Sequence, residues 1–245
     1  MFGIFLLFTI LGCSGANISQ TSDKPLTRVY EIPLPEKLRY ELTNDVGEQI
    51  GLGIFQSEID SVDSSLIMLE ERYTRADNSD AGDIIMTKVS AADFSAVGGI
   101  RNVKKVTALE IQSISYSWEI VQIAGENRVL EKINNLADSS IVKTKKLPDL
   151  DIYANSSSFW LWRQLPLEVG YAASYLTVDP FEEKWQLVTI TVPQAEVLKM
   201  PFGDIPVWRV LIRSGRATRS AWIEQSMPHR VLKWDNGLTV MTLID

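Results

Sequence analysis

The sequence predicts a mainly β protein, with antiparallel strands in a single curved sheet, half-barrel or sandwich and a short accessory helix or helices. Three observations lead to this prediction. From Ile114 to Ile120 every second residue is large and apolar, the alternation typical of a half-buried strand. Asn236-Gly237 between apolar segments is a strong hairpin signal. Turn residues recur at short intervals in the C-terminal half, and no helical period is long enough to build βαβ units.

The first half of the chain contains glycine-rich segments that need separate interpretation. Strand patterns start at Tyr40 and Val46, and three glycines (47, 51 and 53) lie in the second one. Because no Gly-x-Gly-x-x-Gly opens a helix there, we interpret them as strand glycines rather than a nucleotide loop. Residues 92–100, with Gly98-Gly99, are predicted to be a connection, and residues 134–150 show no clear period. Further strands are predicted at residues 65–73, 83–89, 106–123 and 128–133, with a hairpin turn at 125–127.

The second half has a more regular pattern. Residues 159–165 fit either a short helical turn or the start of a strand, and Pro166 biases the residue before it towards an extended backbone. Strands are then predicted at residues 171–178, 185–192, 195–200, 207–214, 217–224, 231–234 and 238–243. Residues 28–245 are therefore predicted to form one β-rich domain.

Composition excludes several function classes. The chain has 245 residues, of which 45% are hydrophobic and 22% charged, as in an ordinary globular protein. Its formal charge of -7 argues against a nucleic-acid partner, which requires clustered Lys and Arg. One cysteine and one histidine cannot form an intrachain disulfide or a zinc site, and no cofactor is predicted. His229 follows a proline in a predicted turn, where we expect a surface or rim histidine.

The N-terminus indicates export. Residues 1–12 are apolar but too short to span a bilayer, and they suit a signal peptide. Ile10-Leu-Gly-Cys13 resembles the lipobox of bacterial lipoproteins, which implies cleavage before Cys13 and lipidation of its thiol. Residues 13–27 would then be a flexible tether, and the protein would be lipid-anchored in the cell envelope, on the periplasmic or outer-surface side. No Lys or Arg precedes the apolar run, and the alternative is a buried N-terminal element with a chance cysteine.

The stretch from 159 to 171 supplies the candidate ligand-binding residues Trp160, Trp162, Arg163 and Tyr171. If this stretch is extended, the two tryptophans share a face and Arg163 points the other way. They would form the wall of an apolar cavity, with Arg163 at its mouth able to pair with an anionic head group. The alternative is that these aromatics pack in the core.

Catalytic residues are not predicted. Asp149, Asp151 and Glu168 flank the tryptophan stretch and are the candidates for a glycosidase carboxylate pair, although turn and surface carboxylates explain them as well. Asp77, Asn78 and Asp80 fail the spacing of a calcium loop.

Several C-terminal motifs together resemble a known family. They are residues 161–167 (LWRQLPL), the turn with Gly203, Trp208-Arg-Val, Trp222-Ile-Glu ahead of Pro228, and the closing segment from Gly237 to Leu243. This series resembles an exported bacterial family known as domain of unknown function 3108, which implies an extracytoplasmic β-rich domain. It is more distantly similar to the lipoprotein carriers LolA and LolB, half-barrels that hold acyl chains.

Two main hypotheses follow. The first is a non-enzymatic envelope lipoprotein, anchored to the membrane at Cys13, that binds a hydrophobic or amphiphilic ligand in a β-lined cavity. The second is an envelope scaffold or adaptor that acts through a protein partner; a hydrolase with a carboxylate pair is third. A cavity beneath Trp160 and Trp162 favours the first, and a filled core with an exposed apolar patch favours the second.

Overall fold

The computed structural model describes residues 26–77, 81–106, 111–123, 127–136, 139–148, 150–181 and 184–244. Fifteen strands account for most of them, together with one short helix, α1 (Ser158–Trp162), which follows a 3₁₀ turn at Asn155–Ser157. The strands are β1 (Glu36–Asn44), β2 (Gln49–Ile59), β3 (Leu66–Arg75), β4 (Gly82–Ser90), β5 (Ala96–Val106), β6 (Ile111–Ile123), β7 (Asn127–Leu136), β8 (Ser139–Lys146), β9 (Ile152–Ala154), β10 (Ala172–Asp179), β11 (Lys184–Met200), β12 (Gly203–Ser214), β13 (Ala217–Glu224), β14 (Val231–Asp235) and β15 (Thr239–Leu243).

All fifteen strands belong to one sheet. Its order is β8-β7-β6-β5-β4-β3-β2-β1-β15-β14-β13-β12-β11-β10-β9, so β1 pairs with β2 on one side and with β15 on the other. Neighbouring strands are antiparallel except for the short edge pair β9–β10, which is parallel. The predicted fold class, a single curved antiparallel sheet with a short helix, is confirmed.

The sheet curls until its edge strand β9 contacts strands in the middle of the same sheet. The 3₁₀ turn after β9 touches β4, where the hydroxyls of Ser156 and Thr87 lie 2.6 Å apart. Val178 of β10 and Ile152 of β9 are fully buried in a small cluster with Trp118 of β6. Because β5 and β6 overlap this edge, its backbone is covered, which protects it from pairing with another chain. The result is barrel-like, with the main core inside the curve.

One end of this barrel, which we call the closed end, is filled by chain. Two segments meet there, residues 26–35 and residues 163–171, and the backbone amides of Val29 and Tyr30 donate to the Gln164 carbonyl at 2.8 and 3.2 Å. The turns at residues 45–48, 215–216 and 236–238 lie at the other end, which we call the open end. The described chain therefore begins at the closed end.

Several local predictions can be compared with this fold. The Asn236-Gly237 hairpin is confirmed between β14 and β15, and Gly237 adopts the positive φ of 86° that favours glycine. The glycines at 51 and 53 do lie within a strand, β2. The two predicted strands at 185–192 and 195–200 are one strand, β11, with a register shift between Thr191 and Gln194.

One prediction of irregular structure is wrong. Residues 92–100 were expected to connect strands, yet β5 begins at Ala96. The polar region 134–150, in which the sequence shows no clear period, contains β8. In β5, a Cβ on Gly99 would lie 2.4 Å from the Met86 carbonyl oxygen and 2.8 Å from the Trp118 indole nitrogen. The glycine makes room for a large ring from the next strand, so it serves packing rather than a turn. The expected turn at 125–127 and the Asn78 and Asp80 positions lie largely outside the described residues.

The prediction for His229 is also wrong. The turn between β13 and β14 exists, but the imidazole in it is only 5% exposed. It packs edge-on against Tyr30, with ring centroids 4.6 Å apart, and against Trp208 at 5.4 Å. Burial results from the N-terminal segment crossing this end, a contact between residues that are far apart in sequence.

Candidate functional site

The interior of the barrel contains a cavity of about 360 Å³ between α1 and the open end. Its size falls at the lower end of the range for ligand pockets, about 300–1,000 Å³. Part of the lining is apolar: Leu42, Phe159, Trp162, Ile212, Trp234 and Met241. The rest includes polar and charged groups, mainly Glu71, Tyr73, Arg101, Ser158, Tyr175 and Arg219.

Helix α1 forms the inner limit of the cavity. It has only five residues and no side-chain cap, so packing rather than intrinsic propensity stabilises it. Trp160 is 2% exposed and packs on Phe55 of β2, with ring centroids 5.5 Å apart. Phe159 and Trp162, three positions apart and so on one face of the helix, line the cavity with their rings 5.6 Å apart.

A polar group forms the wall on β3, β4 and β5. Antiparallel pairing places Tyr73 opposite Asp83, and Glu71 and Arg101 on either side of the same β4 residue. The Arg101 guanidinium donates to both Asp83 oxygens, with its Nε at 3.0 and 3.1 Å, and lies 5.1 Å from the centre of the Phe181 ring. Two planar partners therefore hold this arginine in place.

Glu71 is the buried acid of this wall. It is 8% exposed, and the Tyr73 hydroxyl donates to its Oε2 at 2.9 Å. Burial raises the pKa of Glu71 to about 8, against the opposing effects of the Tyr73 hydrogen bond and the Arg101 charge. A carboxyl group that is mostly protonated at neutral pH can donate a hydrogen bond as well as accept one.

A second polar group lies on the β10 and β13 side. The Trp162 indole Nε1 donates to the Tyr175 hydroxyl at 3.0 Å. Burial raises the pKa of Tyr175, and the nearby Ser158 hydroxyl and Arg219 charge oppose that rise. Arg219 is half-buried and lies on the same face of β13 as Ala221 and Ile223, which are both fully buried in the main core. The cavity therefore has hydrogen-bonding groups on two walls and an aromatic floor.

The predicted binding residues separate in the structure. Trp162 lines the cavity, whereas Trp160 packs beneath it, since this stretch is helical rather than extended. Arg163 does not lie at a cavity mouth: it is 3% exposed at the closed end, where it forms two bonds of 2.5 and 2.8 Å to Glu36. Tyr171 packs against the main core and is not part of the cavity lining.

The candidate carboxylates do not line the cavity either. Asp151 and Glu168 are exposed, while Asp149 and the lipidation candidate Cys13 lie outside the described residues. Across the described ranges, no group of three or more His, Cys, Asp or Glu side chains is arranged to hold a metal ion. In that same part of the chain, no helix is both long and apolar enough to cross a membrane.

Sequence reasoning missed Glu71, Tyr175 and Arg219. Each comes from a different strand, and the fold alone brings them to one cavity. The sequence does contain a signal for Glu71. It follows the buried Ile67 and Leu69 at two-residue spacing on β3, so a charged side chain lies at a position that faces inward.

Comparison with known proteins supports the fold. No protein-family model matches the chain, and no curated protein is significantly similar to it. Its structure is similar to the crystal structure of a β-barrel-like protein of domain of unknown function DUF1849 from Brucella abortus. The TM-score is 0.56, with 10% sequence identity, over 87% of this chain and 97% of that chain. This likeness shows a β-barrel-like fold shared with a domain of unknown function, and the resemblance to the 3108 family and to LolA and LolB stays a prediction.

Proposed function

We propose that this protein is a bacterial envelope lipoprotein that binds an amphiphilic ligand in the barrel cavity and does no chemistry on it. The observation that supports ligand binding is the cavity itself, with an aromatic floor at Phe159 and Trp162 and polar groups on its walls. The adaptor hypothesis expects a filled interior. Trp162 instead lines a cavity, which favours the ligand-binding hypothesis. Among the described lining residues there is no histidine or cysteine to act as base or nucleophile.

Ligand binding is tested on the mature chain with Cys13→Ser, so that acylation does not complicate the measurement. Delipidated protein is titrated with dodecanoate below its micelle concentration and observed by native mass spectrometry. We expect one-to-one uptake. A protein that stays empty at every concentration would overturn the proposed function.

A matched pair of variants locates the binding. Ile212 is buried and lines the cavity, whereas Leu211, its neighbour on β12, faces the other side of the sheet. Ile212→Trp fills the cavity and should weaken uptake at least tenfold, while Leu211→Trp should not. If Ile212→Trp does not fold, Met241→Phe on β15 fills the same space with a smaller increase in volume. Equal uptake by a folded cavity variant and the control would place binding elsewhere.

Membrane anchoring is a separate part of this proposal. It is supported by the lipobox-like Ile10-Leu-Gly-Cys13 after an apolar run of twelve residues. Mass spectrometry of the exported protein should show an N-terminal, acylated Cys13, and Cys13→Ser should release the protein from membranes. An unmodified Met1 on the exported chain would refute the anchor without bearing on the cavity.

A further inference from the structure

Arg219 carries the positive charge of the cavity that no described residue neutralises. It makes no hydrogen bond or ion pair with any residue of the described ranges. Arg101, by contrast, is bound by Asp83, and Asp179 lies close enough to stabilise its charge further. Glu71 adds little negative charge at neutral pH, because burial raises its pKa to about 8. A half-buried guanidinium whose donors meet no acceptor among the described residues suits an anion.

Tyr175 provides a second donor in the same cavity as Arg219. A tyrosine hydroxyl has one proton to donate and lone pairs to accept with. The oxygen of Tyr175 accepts the Trp162 Nε1–H at 3.0 Å, and the Ser158 hydroxyl bonds to it as well. Both bonds lower the pKa of Tyr175, as donors to its oxygen do, so the hydroxyl proton is left to donate to a ligand. The Arg219 charge is near enough to favour the ionised phenol of Tyr175, so both groups act on the same region of the cavity.

The volume of the cavity suits one alkyl chain. A water-sized group occupies about 30 Å³ of liquid, so a cavity of about 360 Å³ holds roughly twelve such groups. The cavity also has apolar lining on α1 (Phe159, Trp162) and on β12 and β15 (Ile212, Met241).

We propose that the cavity binds a single-chain anionic amphiphile, with its carboxylate or phosphate head group held by Arg219 and Tyr175 and its chain against Phe159 and Trp162. This inference rests on the proposed ligand-binding function and gives it a chemical class. It also moves the head-group site from Arg163, whose guanidinium is bound by Glu36, to Arg219, another arginine later in the chain.

The test compares head groups on a constant chain. Dodecanoate, dodecyl phosphate and the neutral dodecanol are each titrated into the Cys13→Ser protein, and Kd is measured by calorimetry or tryptophan fluorescence. The variants are Arg219→Gln, Tyr175→Phe and the control Arg216→Gln, which removes an exposed arginine from the β12–β13 turn. Thermal unfolding curves verify that each variant is folded.

We expect at least one anion to bind tenfold or more tightly than dodecanol. Arg219→Gln should bring the two affinities within about threefold, Tyr175→Phe should have a smaller effect in the same direction, and Arg216→Gln should leave the preference intact. The tighter of the two anions distinguishes a carboxylate from a phosphate ligand. Equal binding of anions and dodecanol by the native protein would overturn the head-group site but leave the cavity function standing. Binding of none of the three would overturn both.

Discussion

Replacement of Glu71 by glutamine should change how stability depends on pH. The carboxyl group is buried in the cavity wall, and burial raises its pKa from 4.5 to about 8. Between these values the folded protein keeps a proton that the unfolded chain releases. The stabilisation due to this proton is therefore complete below pH 4.5 and is lost as the pH rises to about 8.

The size of the effect follows from the same two pKa values. Each pH unit between them is worth about 1.4 kcal/mol, so the whole interval sets an upper limit of roughly 5 kcal/mol. Glutamine has the shape of the protonated acid and cannot ionise. We therefore expect Glu71→Gln to match the native protein near pH 4.5 and to exceed its free energy of unfolding by roughly 2–5 kcal/mol at pH 9.

The assay is urea denaturation followed by tryptophan fluorescence at several pH values from 5 to 9. Glu58→Gln is the control, since that glutamate is exposed at the end of β2. Subtracting the native curve from each variant curve isolates the substituted group. Parallel curves for Glu71→Gln and the native protein over the whole range would refute the argument that this carboxyl is protonated in the fold.

Two further predictions concern packing and a buried ion pair. Gly99→Ala should lower the free energy of unfolding by about 2–3 kcal/mol, because the added methyl group meets a backbone oxygen at 2.4 Å. Thermal unfolding measures this change, and an unchanged stability would mean that β5 shifts without an energetic cost. Arg163→Ala leaves Glu36 without its partner and should cost about 3–5 kcal/mol in urea denaturation, whereas the double variant with Glu36→Ala should cost less. Equal losses in the single and double variants would show that the charge of Glu36 is not buried enough to matter.

The sequence predicts the strands best where local pattern and final packing agree. The period-two alternation around Trp118 and the Asn236-Gly237 turn are local signals, and both correspond to structure as predicted. The pair Gly98-Gly99 suggested a connection, but Gly99 accommodates the ring of Trp118 from the neighbouring strand. Propensity carries no information about that neighbour.

The site was predictable only in part. Trp162 was identified from its aromatic neighbourhood, and it does line a cavity. Arg163, adjacent to it in sequence, turns to the closed end because a short helix places neighbouring side chains about 100° apart rather than on alternate faces. Arg219 and Tyr175 come together only once the sheet has rolled up. Charge at an inward strand position is therefore the more useful signal for such cavities.

The pairing of β1 with β15 has a consequence for how the chain is made. The two strands lie side by side although they come from opposite ends of the domain, and the Tyr40 hydroxyl donates to the Val231 carbonyl across 191 positions of sequence. Until β15 has been made, β1 presents an unpaired edge on the side away from β2. The barrel can therefore close only after β15 has been synthesised. A chain that stops short of Thr239 would expose two edges, one on β1 and one on β14, and so become a template for aggregation.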